Sequence, residues 1–146
     1  MSDYNKIVVG TDGSKSSLLA VERAAKMAAA FDATLIIGCA YYENKEEASK
    51  TLRQDSVTIL GDDKAKANLS AGREHAEKFG VKNIETAVRP GTPVQALMAI
   101  VNEFGADLLV VGNRGINSLT GRLLGSVPAD VARQSDCDVM IVHTVN

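Results

Sequence analysis

Residues 107–127 read DLLVVGNRGINSLTGRLLGSV and join an apolar run to a loop that holds four glycines. The run at 108–111 contains no polar residue, which is typical of a strand covered on both faces of a parallel sheet. Runs of the same kind stand at 7–9 and 139–142. Together the three runs predict a buried parallel sheet with helices on both of its faces.

Two further runs complete a regular alternation of strands and helices. Strands are expected at 6–10, 34–41, 84–88, 107–112 and 138–143. Helices are expected at 16–30, at 64–79, after Pro93 and after a Ser126 cap. The alternation predicts one α/β domain over residues 1–146, an open parallel five-stranded sheet of order 3-2-1-4-5 with right-handed crossovers. Residues 42–63 are too long for a tight connection, and both a partly helical segment and a lid stay open.

Composition narrows the class of protein and of partner. The chain has 146 residues, 45% of them hydrophobic and 23% charged, which is the balance of a soluble globular domain. A net charge of −2 argues against a general binder of nucleic acid, whose affinity depends on many Lys and Arg contacts. The sequence has no run of eighteen apolar residues that could span a membrane, and the start MSDYNK lacks the apolar core of a signal peptide. Cys39 and Cys137 have no framework spacing and are expected to be reduced, which favours a cytoplasmic location.

The predicted strand order places a ligand crevice where the order reverses, beyond the carboxyl ends of strands one and four. Two loops meet there, Thr11–Ser14 after strand one and the glycine stretch after strand four. Glycines let the backbone approach a ligand closely, and the helix that starts at Ser126 presents free N–H groups that favour a phosphate. Arg114 adds a fork of donors nearby.

Phosphate contacts alone are too weak to hold a ligand. A helix-terminus contact contributes about 0.3–1 kcal/mol, whereas micromolar affinity needs about 8 kcal/mol. A larger group must therefore be buried, and Asp12 with the backbone around Cys39 and Ala40 suits a ribose and a base. The alternative is purely structural: the glycines turn the chain, Ser126 caps a helix, and Asp12 is an ordinary turn residue.

The chain resembles the universal stress protein family from end to end. The resemblance is carried by VVGTDGS, by DLLVVGNRG, and by the spacing Gly112-x2-Gly115-x9-Gly125-Ser126, which is similar to the family's ATP-binding signature. It implies a Rossmann-like fold of the adenine nucleotide alpha hydrolase type. It also implies that ATP or another adenine nucleotide (AMP or cyclic AMP) is the cofactor, with Mg²⁺ as an optional companion of ATP.

The resemblance also assigns positions within the site. Gly10, Thr11 and Asp12 resemble residues near the adenine and ribose, and Ala40 resembles the backbone contact to the base. Six further residues resemble those that surround the ribose and phosphates in the family: Gly112, Arg114, Gly115, Gly125, Ser126 and Val127.

No catalytic residue and no metal site is predicted. The sequence lacks a Walker lysine, and strand three ends in Arg89-Pro90-Gly91 where a response regulator would need a phosphoacceptor Asp. His75 and His143 have no metal-ligand spacing and are expected to be structural or exposed. Binding without efficient turnover is therefore expected, with weak ATP hydrolysis or self-phosphorylation as the upper limit.

The apolar run at 139–142 lies on the edge strand of the predicted order. Exposed apolar edges are normally paired, so a homodimer through this strand is expected, as the family commonly pairs. The leading hypothesis is an adenine-nucleotide-binding protein that senses or buffers nucleotide during stress. The alternatives are an interaction module with a vestigial site, acting through residues 42–63, and a slow ATPase or self-phosphorylating protein using Thr11, Ser14 or Ser126.

Overall fold

The computed structural model describes residues 4–44, 61–113 and 126–144, with side chains in the last range from residue 129 onward. The strands are β1 (Lys6–Gly10), β2 (Thr34–Tyr41), β3 (Asn83–Pro90), β4 (Leu108–Gly112) and β5 (Asp138–Val142). The helices are α1 (Lys15–Phe31), α2 (Asp62–Ala76), α3 (Pro93–Phe104) and α4 (Ser126–Gln134), with a short 3-10 turn at Glu77–Phe79.

All strand pairs are parallel, and the sheet order is β3-β2-β1-β4-β5. This confirms the order predicted from the sequence. Gly10 of β1 pairs in register with Gly38 of β2, and Val9 pairs with Val110 of β4. The central strand therefore has β2 on one side and β4 on the other.

The core lies in two layers, one on each face of the sheet. On one face, α1 and α2 pack small residues such as Val21, Ala24 and Ala65 against Ile7, Val9 and Ile37. The opposite face is covered by α3 and α4.

There Leu97, Ile100 and Val131 pack against Val8, Ile36 and Leu109. Side chains that alternate along β1 and β2 thus enter opposite layers, as the pleat of a strand requires. Helices cover both faces of the sheet, as predicted.

Helix starts follow their local chemistry. The Ser14 hydroxyl accepts a hydrogen bond from the Ser17 N–H and caps α1. At α3, Thr92 and Gln95 form a reciprocal capping box, with Pro93 at the first helical position. The last helix begins at Ser126 itself. The cap predicted for the Ser126 side chain lies outside the described side chains.

The largest differences from the predictions concern the length of one strand and the burial of one apolar run. Strand β3 extends over Asn83–Pro90 rather than 84–88, because it pairs with β2 along all eight residues. The run at 139–142 was expected to be covered on both faces, but only Val142 is buried and the three residues before it are half-exposed. That prediction was wrong because β5 is an edge strand with a neighbour on one side only. Of the open region 42–63, residues 45–60 lie outside the described residues.

Candidate functional site

The carboxyl ends of β1 and β4 form a crevice because the chain leaves these neighbouring strands toward opposite faces of the sheet. After β1 the chain enters α1, which packs on one face, and after β4 it continues to α4, whose Val131 packs on the other. Connections that diverge in this way leave a gap at the strand ends, where open α/β sheets bind ligands. The structure thereby brings the Thr11–Ser14 loop to the edge predicted from the sequence.

Thr11 anchors the first loop of the crevice. Its side chain is buried (6% exposed), and its N–H donates to the Gly38 carbonyl at 2.9 Å. The Thr11 hydroxyl lies 3.0 Å from the Ser17 hydroxyl and accepts from the Gly13 N–H at 3.2 Å. These bonds fix the loop against β2 and the start of α1, while direct contact of Thr11 with a ligand stays a prediction.

Asp12 stands half-buried at the mouth of the crevice. Its carboxylate Oδ1 accepts from the Ser14 N–H at 2.9 Å, and its own N–H donates to the Ser17 hydroxyl at 3.3 Å. Asp12 is therefore a turn residue, as the structural alternative held. A carboxylate oxygen has several acceptor positions, so the same side chain can also accept from a ligand hydroxyl or amine.

At the end of β4, Gly112 lies beside two side-chain hydroxyl groups. A Cβ at this position would lie 3.2 Å from the Ser16 hydroxyl oxygen and 3.3 Å from that of Thr144. Those two hydroxyls hydrogen-bond to each other across the glycine, which links α1 to the residue pair that follows β5. The contacts show that Gly112 leaves room for this bridge, while its predicted place in a ligand shell stays a prediction.

Asn113 extends the same polar cluster. Its N–H donates to the Val142 carbonyl at 2.9 Å, and its Oδ1 accepts from the Thr144 N–H at 2.7 Å. Its side-chain nitrogen lies 3.1 Å from His143 Nδ1. Neither Asn113 nor Thr144 was predicted to have a role, because contacts between residues 31 positions apart depend on the strand order. Hydrogen bonds to Val142 and Thr144, at and after the end of β5, thus hold the residue that follows β4.

Asn68 of α2 is a second residue that the sequence analysis missed. Its Nδ2 lies 4.0 Å from the Cys39 Sγ at the end of β2. Its carboxamide also occupies the space where a Cβ on Gly13 would stand, with Oδ1 2.5 Å from that position. A signal was present in the sequence, since an Asn between Ala65 and Gly72 falls on the inward stripe of the helix.

The remaining predicted site residues fall into three groups. Gly10 and Ala40 lie at the carboxyl ends of β1 and β2, both partly exposed at the crevice edge of the sheet. Ser126 and Val127 begin α4, and their side chains are outside the description. Arg114, Gly115 and Gly125 lie outside the described residues, so their contribution stays a prediction.

A comparison with known protein families identifies this arrangement. The model of the universal stress protein family matches residues 3–143. This chain belongs to the universal stress protein family. Universal stress protein Rv1636 of Mycobacterium tuberculosis (strain H37Rv) is 48% identical over 146 residues, which cover 99% of each chain.

Solved structures of universal stress proteins share the fold. One, solved in complex with cAMP, is 45% identical, covers 98% of this chain and 99% of its own, and has a TM-score of 0.77. A universal stress protein from Lactobacillus plantarum is 21% identical with a TM-score of 0.74, over 97% of this chain and 99% of its own. The second likeness shows that the architecture persists when most of the sequence differs.

The histidines of this universal stress protein have protein partners. His75 Nε2 lies 3.3 Å from Glu22 Oε1, and His143 is held by Asn113. The pKa of Glu22 is lowered, mainly by a hydrogen bond that its carboxylate accepts from Lys26.

Within residues 4–44, 61–113 and 126–144, no three His, Cys, Asp or Glu side chains gather closely enough to hold a metal ion. Each helix in the same ranges is too short or too polar to cross a bilayer.

Cys39 is the buried thiol nearest to the crevice, at 2% exposure, and Cys137 is half-buried. Burial is the main cause that raises the pKa of Cys39 from 9.0 to about 11, and the Asp12 charge adds to it. The thiol is therefore neutral at physiological pH, which agrees with the prediction of a reduced, buried cysteine.

This pKa makes stability depend on alkaline pH. Well below pH 9 the thiol is protonated in both the folded and the unfolded state. Between pH 9 and about 11 the thiol ionises in the unfolded chain but stays protonated in the folded protein, so the unfolded state becomes more stable relative to the folded state. Over that window, wild type is expected to lose about 2–3 kcal/mol more unfolding free energy than Cys39→Ala. Urea denaturation at a series of pH values measures this. Cys137→Ala should keep the wild-type dependence, and a Cys39→Ala profile parallel to wild type would contradict the prediction.

Proposed function

We propose that this universal stress protein binds an adenine nucleotide (ATP, AMP or cyclic AMP) in the crevice between the ends of β1 and β4. Its role would be that of a stress-response sensor or a nucleotide buffer. The observation that carries the proposal is the relative solved with cAMP, which is 45% identical and matches 98% of this chain in fold. Cyclic AMP is therefore the first ligand to test.

The chemistry of the described crevice supports such a ligand. Asp12 offers a carboxylate acceptor for ribose hydroxyls, and Ala40 offers backbone groups at the half-exposed end of β2. Helix α4 begins after β4 at the same edge, where its N-terminus favours a phosphate. Ribose and base would thus lie near β1 and β2, with the phosphate near α4. Mg²⁺ belongs to this proposal only as a companion of ATP.

We expect binding without efficient turnover. Rapid phosphoryl transfer needs a free nucleophile and charge stabilisers around the phosphate. Of the hydroxyls that self-phosphorylation could use, Thr11 is buried and bonded to Ser17, and Ser14 caps α1. These two hydroxyls hold the loop, and the third candidate, the Ser126 hydroxyl, lies outside the described side chains. Hydrolysis of ATP at many turnovers per second by the purified protein would contradict this.

A homodimer through β5 is the second part of the proposal. The two edges of the sheet differ in character: β3 carries the exposed Glu85 and Pro90 and the Arg89–Glu103 ion pair, features that discourage pairing. Strand β5 presents half-exposed Val139, Met140 and Ile141. Sedimentation should therefore show a dimer at micromolar concentration, whereas a stable monomer would count against it. A cytoplasmic location fits the nucleotide ligand and the reduced cysteines.

Isothermal titration calorimetry with ATP, AMP and cyclic AMP tests the nucleotide proposal. At least one should bind wild type with a dissociation constant in the micromolar range or below. Gly115→Val should weaken that binding about 100-fold or more, because a side chain there would block backbone approach to the phosphate. Asn83→Val, at an exposed position where β3 begins at the opposite end of the sheet, is the control and should bind like wild type. Absence of binding by wild type to all three nucleotides would overturn the proposal.

A further inference from the structure

Asn68 stands where two parts of the crevice meet. Its carboxamide covers the Cα of Gly13 in the loop after β1 and reaches the Cys39 sulfur at the end of β2. The residue is partly exposed, although its neighbours Ala65, Leu69 and Gly72 on the same helix are buried. An amide is thus placed at the open end of an otherwise apolar stripe.

Within the described part of the chain, the hydrogen-bonding capacity of this amide is largely unused. The hydrogen bond that it makes to the described residues goes from Nδ2 to a thiol at 4.0 Å, at the limit of such a contact. A carboxamide has two donor hydrogens and an acceptor oxygen, and Asn is a poor helix former in the middle of α2. Neither helix stability nor hydrogen bonding to the described residues explains an Asn at this position.

We propose that Asn68 is a specificity-determining residue whose carboxamide reads the base of the bound nucleotide. The inference rests on the proposed function and extends it to a residue outside the glycine motif. If the phosphate lies near α4 beyond β4, the rest of the ligand extends across β1 toward β2. From β4 to β2 is two strand spacings, about 10 Å, which is the reach of a mononucleotide. Asn68 stands at the far end of that path.

The chemistry of an amide suits adenine. An Asn side chain can accept from the N6 amine of adenine and donate to N7, a bidentate pairing that discriminates against other bases. Releasing the weak contact to the Cys39 thiol costs little, because a neutral thiol is a poor acceptor. Hypoxanthine carries an oxygen in place of the amine, so it presents an acceptor where adenine presents a donor.

Calorimetry with paired ligands tests the proposal. The best-bound adenine nucleotide of the wild type is compared with its hypoxanthine counterpart (ITP, IMP or cyclic IMP). Wild type should prefer the adenine ligand by about tenfold or more. Asn68→Ala should lose most of that preference, with the adenine nucleotide weakened and the hypoxanthine nucleotide little changed. Asn68→Leu keeps the volume over Gly13 without the hydrogen bonds, and it should behave in the same way.

Asn102→Ala, an exposed Asn on α3 in the opposite layer, is the matched control and should leave both affinities unchanged. Equal weakening of both ligands by Asn68→Ala and Asn68→Leu would overturn base reading, because it would show that Asn68 only positions the Gly13 loop. Unchanged affinities in both variants would overturn it as well. These outcomes leave nucleotide binding by the wild type intact, whereas a wild type that binds no nucleotide would overturn the proposed function itself.

Discussion

Gly13→Ala is expected to lower the free energy of unfolding by about 2–3 kcal/mol. Two effects add at this position. Gly13 has a φ of +84°, where an L side chain is strained by about 1–2 kcal/mol. Its Cβ would also lie 2.5 Å from Asn68 Oδ1 and 2.9 Å from Asn68 Cγ, so the loop or the amide must move. Urea denaturation measures the cost.

Gly80→Ala separates the two effects. Gly80 has the same φ of +84°, and an added Cβ there would meet nothing within 4 Å. It should therefore cost only the backbone strain, about 1–2 kcal/mol. Adding Asn68→Ala to Gly13→Ala should recover the difference between the two single variants. Equal costs at Gly13 and Gly80, with no recovery in the double variant, would contradict the close packing of Asn68 on the loop.

Gly38→Ala is expected to cost about 1–3 kcal/mol by overpacking the layer under α3. Gly38 is buried in β2, and its Cβ would lie 2.7 Å from Ile100 Cδ1. Ile100 is fully buried, so its terminal methyl has little room to rotate away. Thermal or urea unfolding of the variant measures the loss.

Ile100→Val removes the methyl in question and should rescue the variant. Alone it is expected to cost about 1 kcal/mol because it leaves a cavity. The double variant with Gly38→Ala should cost well below the sum of the two single-variant costs. Gly72→Ala is the control for a buried glycine with room, since its nearest contact would be 3.4 Å from Ile37 and Ala favours the helix interior. It should be neutral or stabilising. Additive costs at Gly38 and Ile100 would contradict the packing described.

Most of the architecture could be predicted because the apolar runs in the sequence show which strands are buried on both faces. The apolar runs at 7–9 and 108–111 are fully covered in the structure, and their alternation with helices predicted the parallel order. The same rule overestimated coverage of Val139, Met140 and Ile141, because composition does not show that an edge strand lacks a neighbour. The apolar residues of this edge strand instead favour pairing with a second copy of the chain.

The position of a loop could be predicted where the loop directly follows a predicted strand. The Thr11–Ser14 loop stands at the predicted crevice because it directly follows β1. Contacts between distant segments could not be predicted in the same way. The Ser16–Thr144 bridge across Gly112 joins residues 128 positions apart, and Asn68 reaches Gly13 only after α1 and α2 pack side by side. Glycine spacing alone cannot distinguish room for a ligand from room for a neighbouring side chain.

Amide chemical shifts would show whether a nucleotide binds at the carboxyl ends of β1 and β4, as proposed. A ¹⁵N–¹H titration of the intact protein with cyclic AMP, then AMP and ATP, should shift the signals of Thr11, Asp12, Ala40 and Asn113. Signals of Asn5 and Thr34, which lie at the opposite edge of the sheet, should stay in place. Shifts confined to that opposite edge, or no shifts with any of the three nucleotides, would contradict the account.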